Sequence, residues 1–282
     1  MKTIREVLTE GTLLLKESLS SAETPFLDAM VLLSFILGIT KEELLASYPD
    51  RITKNNEDAF NEILIKRISN QPVSYLINRK EFYGLNFYVD KNVLVPRPDS
   101  ETIVETAIDI LKKSPAQKYV LDLCTGSGAL AIALKHSLPE INIQCSDLSL
   151  GAIEVCKKNS RDILGEELKT IESDLFENID YKFDMIITNP PYLTDEETDK
   201  MMDNAWPEPG MALRGGIDGL DYIRKIIMEA PDYLEKDAYL LIESSIDQTE
   251  NIQLILESGN FYNTRIIKDL SGRNRVTLGQ RI

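Results

Sequence analysis

From Asp99 onward the apolar residues of this chain switch between two periods. Short apolar runs at 118–123, 141–146, 169–173, 183–188 and 238–243 read as strands. The segments 99–113, 128–137, 149–163, 218–235 and 247–258 carry apolar residues at helical spacing. Alternation of this kind gives each strand a crossover helix, and so a mostly parallel sheet covered on both faces. Two further runs, 261–267 and 274–280, are separated by little more than Asp269-Leu270-Ser271-Gly272-Arg273. That gap is too short for a helical crossover, so these two strands must pair antiparallel. The expectation is an α/β domain on a seven-stranded sheet, Rossmann-like, with one strand reversed near its C-terminal end.

The chain has 282 residues, enough for one large domain or two unequal ones. Ahead of the alternating region, Ile4, Val7, Leu8, Leu14 and Leu15 repeat at helical spacing, Pro25 opens a segment from Phe26 to Leu37 closed by Gly38, and 41–47 and 56–69 continue the pattern. Residues 1–74 are therefore expected to form a small helical domain. Residues 75–98 are expected to form a β-hairpin connector, with Phe82–Val89 as one strand, Asp90-Lys91-Asn92 as its turn, Val93-Leu94-Val95 as the other and Pro96-Arg97-Pro98 as a stiff exit. Residues 99–282 form the α/β domain.

No run of 18 apolar residues exists, so no membrane span or membrane partner is expected, and the N-terminus turns acidic too early for a secretory signal. Cys124, Cys145 and Cys156 lie far apart with no C-x-x-C, which argues for reduced thiols in the cytoplasm and against a metal site. With 31 basic against 46 acidic residues the net charge is −15, and such a chain repels polyanions instead of gathering them. A direct nucleic-acid partner is not expected.

Two segments carry chemistry. The strand 119–123 runs through Cys124 into Thr125-Gly126-Ser127-Gly128 and then a helix, the context in which glycines let a ligand approach the backbone. Gly126-Ser127-Gly128-Ala129-Leu130-Ala131 also fits the dinucleotide pattern, so a nicotinamide enzyme is a rival. Asp147, at the end of the next strand, can accept from both hydroxyls of a ribose, or else simply cap the following helix. Asp174 and Leu175, after the third strand, can meet an adenine. The other segment is Asn189-Pro190-Pro191-Tyr192. Two prolines cannot continue a central strand, so the strand 183–188 ends abruptly at an amide side chain, a carbonyl without a local partner and an aromatic ring. That set suits gripping a flat amide or amine: the Asn189 oxygen and the Pro190 carbonyl each accept one N–H, Tyr192 stacks on the flat face, and a methyl group is delivered to the planar nitrogen. Hydride transfer has no evident use for it. The lone His136 reads as structural, and no hydrolase triad, zinc-protease or Walker motif is present.

With these segments in hand, the chain resembles the release factor glutamine methyltransferases, also called the PrmC or HemK family. The resemblance lies in Gln71-Pro72-Val73-Ser74-Tyr75-Leu76 with Glu81-Phe82-Tyr83-Gly84, in the stretch from Val93 to Glu101, in Asn189-Pro190-Pro191-Tyr192, in Pro209–Leu213 with Gly215–Leu220, and in Asp269–Val276. It implies a class I S-adenosylmethionine-dependent methyltransferase with a five-helix N-terminal domain that docks the substrate. It further implies methylation of N5 of the glutamine in the Gly-Gly-Gln motif of class 1 peptide chain release factors, by a cytoplasmic monomer that yields S-adenosylhomocysteine. It assigns cofactor contacts to Thr125, Gly126, Ser127, Gly128, Asp147, Leu175 and Asn189, to which their places in the sequence add Cys124 and Asp174, catalysis to Asn189, Pro190 and Tyr192, and substrate contacts to these three and Pro191. Cys124 departs from the family's usual glycine and fits if its backbone angle is ordinary. Leu175 stands where an aromatic is common, and Glu243-Ser244-Ser245 replaces a more usual turn. An N6-adenine or N4-cytosine nucleic-acid methyltransferase could use the same tetrapeptide on a flipped base, and a non-enzymatic scaffold that only binds release factor is the third reading.

Overall fold

The computed structural model describes residues 1–18, 24–113, 118–204 and 206–282. The chain divides into two compact units, residues 1–79 with 205–207, and residues 80–204 with 208–282. No helix among the described residues is long and apolar enough to cross a membrane.

The first unit is helical: α1 (Ile4–Ser18), α2 (Pro25–Leu37), α3 (Lys41–Ala46), α4 (Lys54–Ile68) and α5 (Val73–Leu76). Thr40 and Glu43 form a capping box on α3, Thr53 caps α4, and Gly38 closes α2 at φ +66°. The core is built from Leu8, Leu15, Leu32, Leu33, Leu44, Phe60 and Leu64, all fully buried. Helices α1 and α4 meet at Gly11, where an added Cβ would lie 2.7 Å from the Phe60 ring.

The second unit opens with a hairpin, β1 (Lys80–Phe82) and β2 (Leu85–Phe87), that buries Phe82 and Phe87 edge to face. Its turn is Tyr83-Gly84, both at positive φ (+52° and +71°), the combination a two-residue type I′ turn needs. The hairpin therefore closes earlier than expected. Asp90-Lys91-Asn92 is no strand turn, because Asp90 Oδ1 accepts the Asn92 N–H at 2.9 Å, and Val93-Leu94-Val95 is no strand, because the Val95 N–H goes to the buried Glu208 carboxylate at 2.9 Å.

The remaining elements are α6 (Glu101–Leu111), β3 (Tyr119–Leu123), α7 (Ala129–Ser137), β4 (Asn142–Asp147), α8 (Leu150–Leu164), β5 (Lys169–Glu172), β6 (Phe183–Thr188), α9 (Asp195–Asp203), α10 (Asp221–Tyr233), β7 (Leu234–Glu243), α11 (Thr249–Ser258), β8 (Phe261–Lys268) and β9 (Asn274–Arg281). The seven strands lie in the order β5-β4-β3-β6-β7-β9-β8, and β9 runs antiparallel to both its neighbours. This is the expected α/β class with its one reversed strand. The two-residue period of the strands sorts the core into two layers. Val120, Met185, Ile187 and Leu241 face α6, α7 and the hairpin, whereas Leu121, Leu123, Ile186, Leu240 and Ile242 face α10 and α11. From β3 the chain steps first to β4 and β5 and later returns to β6 on the other side. The C-terminal ends of β3, β4 and β6 therefore flank the crevice where such sheets hold ligands.

Helix α9 was not anticipated. Its sequence is nearly all polar, so apolar spacing is silent, and only the Thr194–Glu197 capping box marks its start. As a test of the α1–α4 contact, Gly11→Val should destabilise the helical unit by about 1–3 kcal/mol, read as a lowered midpoint in thermal unfolding followed by circular dichroism.

Candidate active site

At the end of β3 the chain turns sharply. Cys124 sits at φ +60°, Gly126 at +55° and Gly128 at +79°. Cys124 thus holds a glycine-like conformation with a side chain attached, contrary to the ordinary angle its fit was expected to require. Such a residue carries strain of about 1–2 kcal/mol. Cys124 is partly buried on the cleft wall, and desolvation pushes its thiol far above the usual thiol range, which disfavours the thiolate. Gly128 has another reason to be glycine: a Cβ there would meet Cys156 Sγ at 2.7 Å, where α7 packs on α8.

The turn is tied down by two carboxylates. Asp122 is wholly buried; its Oδ2 accepts the Thr125 hydroxyl at 2.6 Å and the Ala131 N–H at 3.2 Å, while Oδ1 has no partner among the described residues. Burial pushes this carboxyl up to about 7. Asp147, at the end of β4, accepts the Gly126 N–H at 2.8 Å on Oδ2 and the Ser149 N–H at 2.9 Å on Oδ1. It is not the cap of α8, since Ser149 fills that place. Burial raises Asp147, and its backbone donors oppose the rise. A carboxylate has about four acceptor positions, so Asp147 can hold the loop and still face a ligand.

The glycine loop and Asp147, but not the buried Asp122, border one cleft enclosing about 1110 Å3, open solvent included. Cys124, Thr125, Gly126, Ser127, Asp147, Asp174, Leu175, Asn189 and Pro191 line it; Gly128, Pro190 and Tyr192 do not. Leu175 also has positive φ (+49°), and it is mostly buried in the α10–α11 core. His136 is exposed on α7, outside the cleft.

At the end of β6 the Asn189 Nδ2 donates to Ser100 Oγ at 3.3 Å. No described backbone N–H bonds to the Pro190 carbonyl. The next two carbonyls are crowded: a Cβ on Gly215 would lie 2.8 Å from the Pro191 oxygen, and one on Gly219 would lie 2.2 Å from that of Tyr192, which accepts from Gln248 Nε2 at 2.8 Å. The Tyr192 ring packs on the apolar core, and burial pushes its hydroxyl up to about 12.

Several site residues escaped the sequence reading. Asn159 of α8 accepts the Tyr88 N–H at 2.7 Å and donates to the Tyr88 carbonyl at 3.0 Å and the Ser127 carbonyl at 2.8 Å. One buried amide thereby fixes both the segment that follows the hairpin and the glycine loop. Glu208 pairs with Arg97 at 2.6 Å, and Arg97 lies on the cleft wall. A buried polar residue in mid-helix has no signature in one sequence; Glu208 lay in the signalled Pro209 region, but its distant partners left no trace.

Fold and cleft together define a class I S-adenosylmethionine-dependent methyltransferase. The chain matches "Methyltransferase small domain" over residues 102–206 and "PrmC N-terminal domain" over residues 6–77. It is similar to a release factor glutamine methyltransferase of Leptospira interrogans (36% identity, 93% of this chain and 94% of that one) and to one of Buchnera aphidicola subsp. Baizongia pistaciae (35% identity, 99% of each). Among solved structures, a T. thermophilus 16S rRNA methyltransferase in complex with AdoMet and guanosine superposes with TM-score 0.54 at 17% identity, over 72% of this chain and 50% of that one, a likeness of fold. The chain belongs to the release factor glutamine methyltransferase family.

The buried Asp122 has a pH consequence. Its carboxyl releases its proton near 3.8 in the unfolded chain and near 7 in the folded one. Its favourable contribution is full below about pH 4 and is lost as pH rises through about 7, a difference on the order of 4 kcal/mol. Asp122→Asn should flatten the fall in stability between about pH 4 and 7, measured by urea unfolding at each pH.

Proposed function

We propose that this chain transfers a methyl group from S-adenosylmethionine to N5 of the glutamine in the Gly-Gly-Gln motif of class 1 peptide chain release factors. The observation that supports this reading is the end of β6, where Asn189 lines the cleft and is followed by the buried Pro190, whose carbonyl no described backbone N–H takes.

The cleft suits the cofactor. Gly126 has open space where a Cβ would stand, Asp147 has acceptor capacity to spare, and Ser146 on the cleft wall carries a buried hydroxyl without a partner among the described residues. Thr125, Ser127, Asp174 and Leu175 complete the seat. When bound, S-adenosylmethionine supplies an electrophilic methyl group on its sulfonium. The chain's own work is then to make a poor nucleophile reactive. An amide nitrogen shares its lone pair with the carbonyl. With one N–H held by Asn189 Oδ1 and the other by the Pro190 carbonyl, the amino group is fixed with its lone-pair face toward the methyl. Orientation and fixed acceptors supply the advantage. The nitrogen becomes strongly acidic once the new C–N bond forms, so its surplus proton leaves to water and no strong base is needed. Tyr192 anchors the segment from the core side.

The net charge of −15 favours a protein acceptor over nucleic acid, and we infer a monomer acting in the cytoplasm. The test is mass spectrometry of the Gly-Gly-Gln peptide after purified release factor is incubated with enzyme and cofactor. A gain of one methyl on the glutamine is expected, with none when that glutamine is alanine; equal labelling of the control, or labelling of DNA or RNA in its place, overturns the reading. Asn189→Ala should lower kcat by about 100-fold or more with an unchanged melting temperature.

A further inference from the structure

We infer that Glu243 is a positioning residue for the reaction, acting through Asn189; the inference rests on the reading of Asn189 given above. The parallel register of β6 and β7 pairs Thr188 with Ile242, which sets the next residues, Asn189 and Glu243, side by side at the ends of the two strands. Asn189 and Ser100 line the cleft and Glu243 does not, so the carboxylate stands behind them. It is 1% exposed, and its Oε2 has no hydrogen-bond partner among the described residues. Ser100 and Asn189 lie near enough to favour its charged form.

An asparagine amide can present either edge to a substrate, and the two edges have opposite chemistry. An ionised carboxylate accepts only. The Nδ2 edge of Asn189 is the one that donates to Ser100 Oγ, at 3.3 Å, and Glu243 in its ionised form favours the same orientation. Those two acceptors can take both Nδ2 hydrogens, which leaves Oδ1 turned to the cleft, where a substrate N–H has to be received. Without the carboxylate, the flipped amide would offer N–H groups to an N–H substrate. Burial pushes the Glu243 carboxyl up to about 7, opposed by Ser100, Arg275 and Asn189, while Asp99 adds to the rise. Arg275, held to Asp99 at 2.8 Å, is the cation behind the group, and Tyr192 is the other titratable neighbour.

The experiment is a double-mutant cycle on single-turnover methyl transfer to release factor, with calorimetric cofactor Kd measured for each variant. Glu243→Leu removes the acceptor at similar bulk and should lower the rate roughly 10- to 100-fold with cofactor Kd within about twofold, which also shows that the variant is folded. Glu243→Gln, which keeps one acceptor oxygen, should recover much of that loss. In an Asn189→Ala background Glu243→Leu should cost nothing further. Equal losses from Glu243→Leu in the two backgrounds overturn the inference, as does a parallel collapse of cofactor affinity. Full activity of Asn189→Ala alone overturns the reading of the grip, and this inference with it.

Discussion

Where parallel strands stop, their backbone groups lose the ladder and must find other partners. That constraint organises this molecule. Around the ends of β3, β4 and β6 several backbone groups are taken by side chains brought from elsewhere, and others pair with neighbouring backbone. Asp147 takes the Gly126 N–H, Asn159 takes the Ser127 carbonyl, Glu208 takes the Val95 N–H, and Gln248 takes the Tyr192 carbonyl. The Pro190 carbonyl is among the groups that no described backbone N–H takes. A site of this kind is defined as much by which backbone groups the fold satisfies as by which it leaves over.

The satisfied groups also explain why strained residues persist. Cys124 and Leu175 hold positive φ because the surroundings fix them: the thiol and the leucine both pack on the α10–α11 core, and the neighbouring Thr125 is bonded to the buried Asp122. Strain is kept where packing on several sides overdetermines the backbone.

The sheet was largely legible in the sequence because its signal is periodic. Strands buried on both faces read as short apolar runs, and the five-residue gap after Lys268 forces an antiparallel pair. The glycine loop and Asn189-Pro190-Pro191-Tyr192 were legible because glycine and proline restrict the backbone in ways no neighbour can undo. What stayed hidden depends on distant partners. Helix α9 has almost no apolar face to announce it. The hairpin turn sits at Tyr83-Gly84 because a left-handed tyrosine is tolerated there, and tyrosine gives no hint of that. Asn159 and Glu243 are ordinary polar residues in sequence, and only folding brings them to Tyr88 and Asn189, 71 residues away in the first case.

The proposed grip consists of oxygens alone, an amide Oδ1 and a peptide carbonyl, with a buried carboxylate behind them. Two lone-pair surfaces facing inward have nothing to offer a group that lacks N–H, and they repel one that is negatively charged. A glutamine that has hydrolysed to glutamate presents both faults at once. The arrangement would therefore act as a chemical proofreader, admitting the intact amide and turning away its deamidated form with no separate checking step.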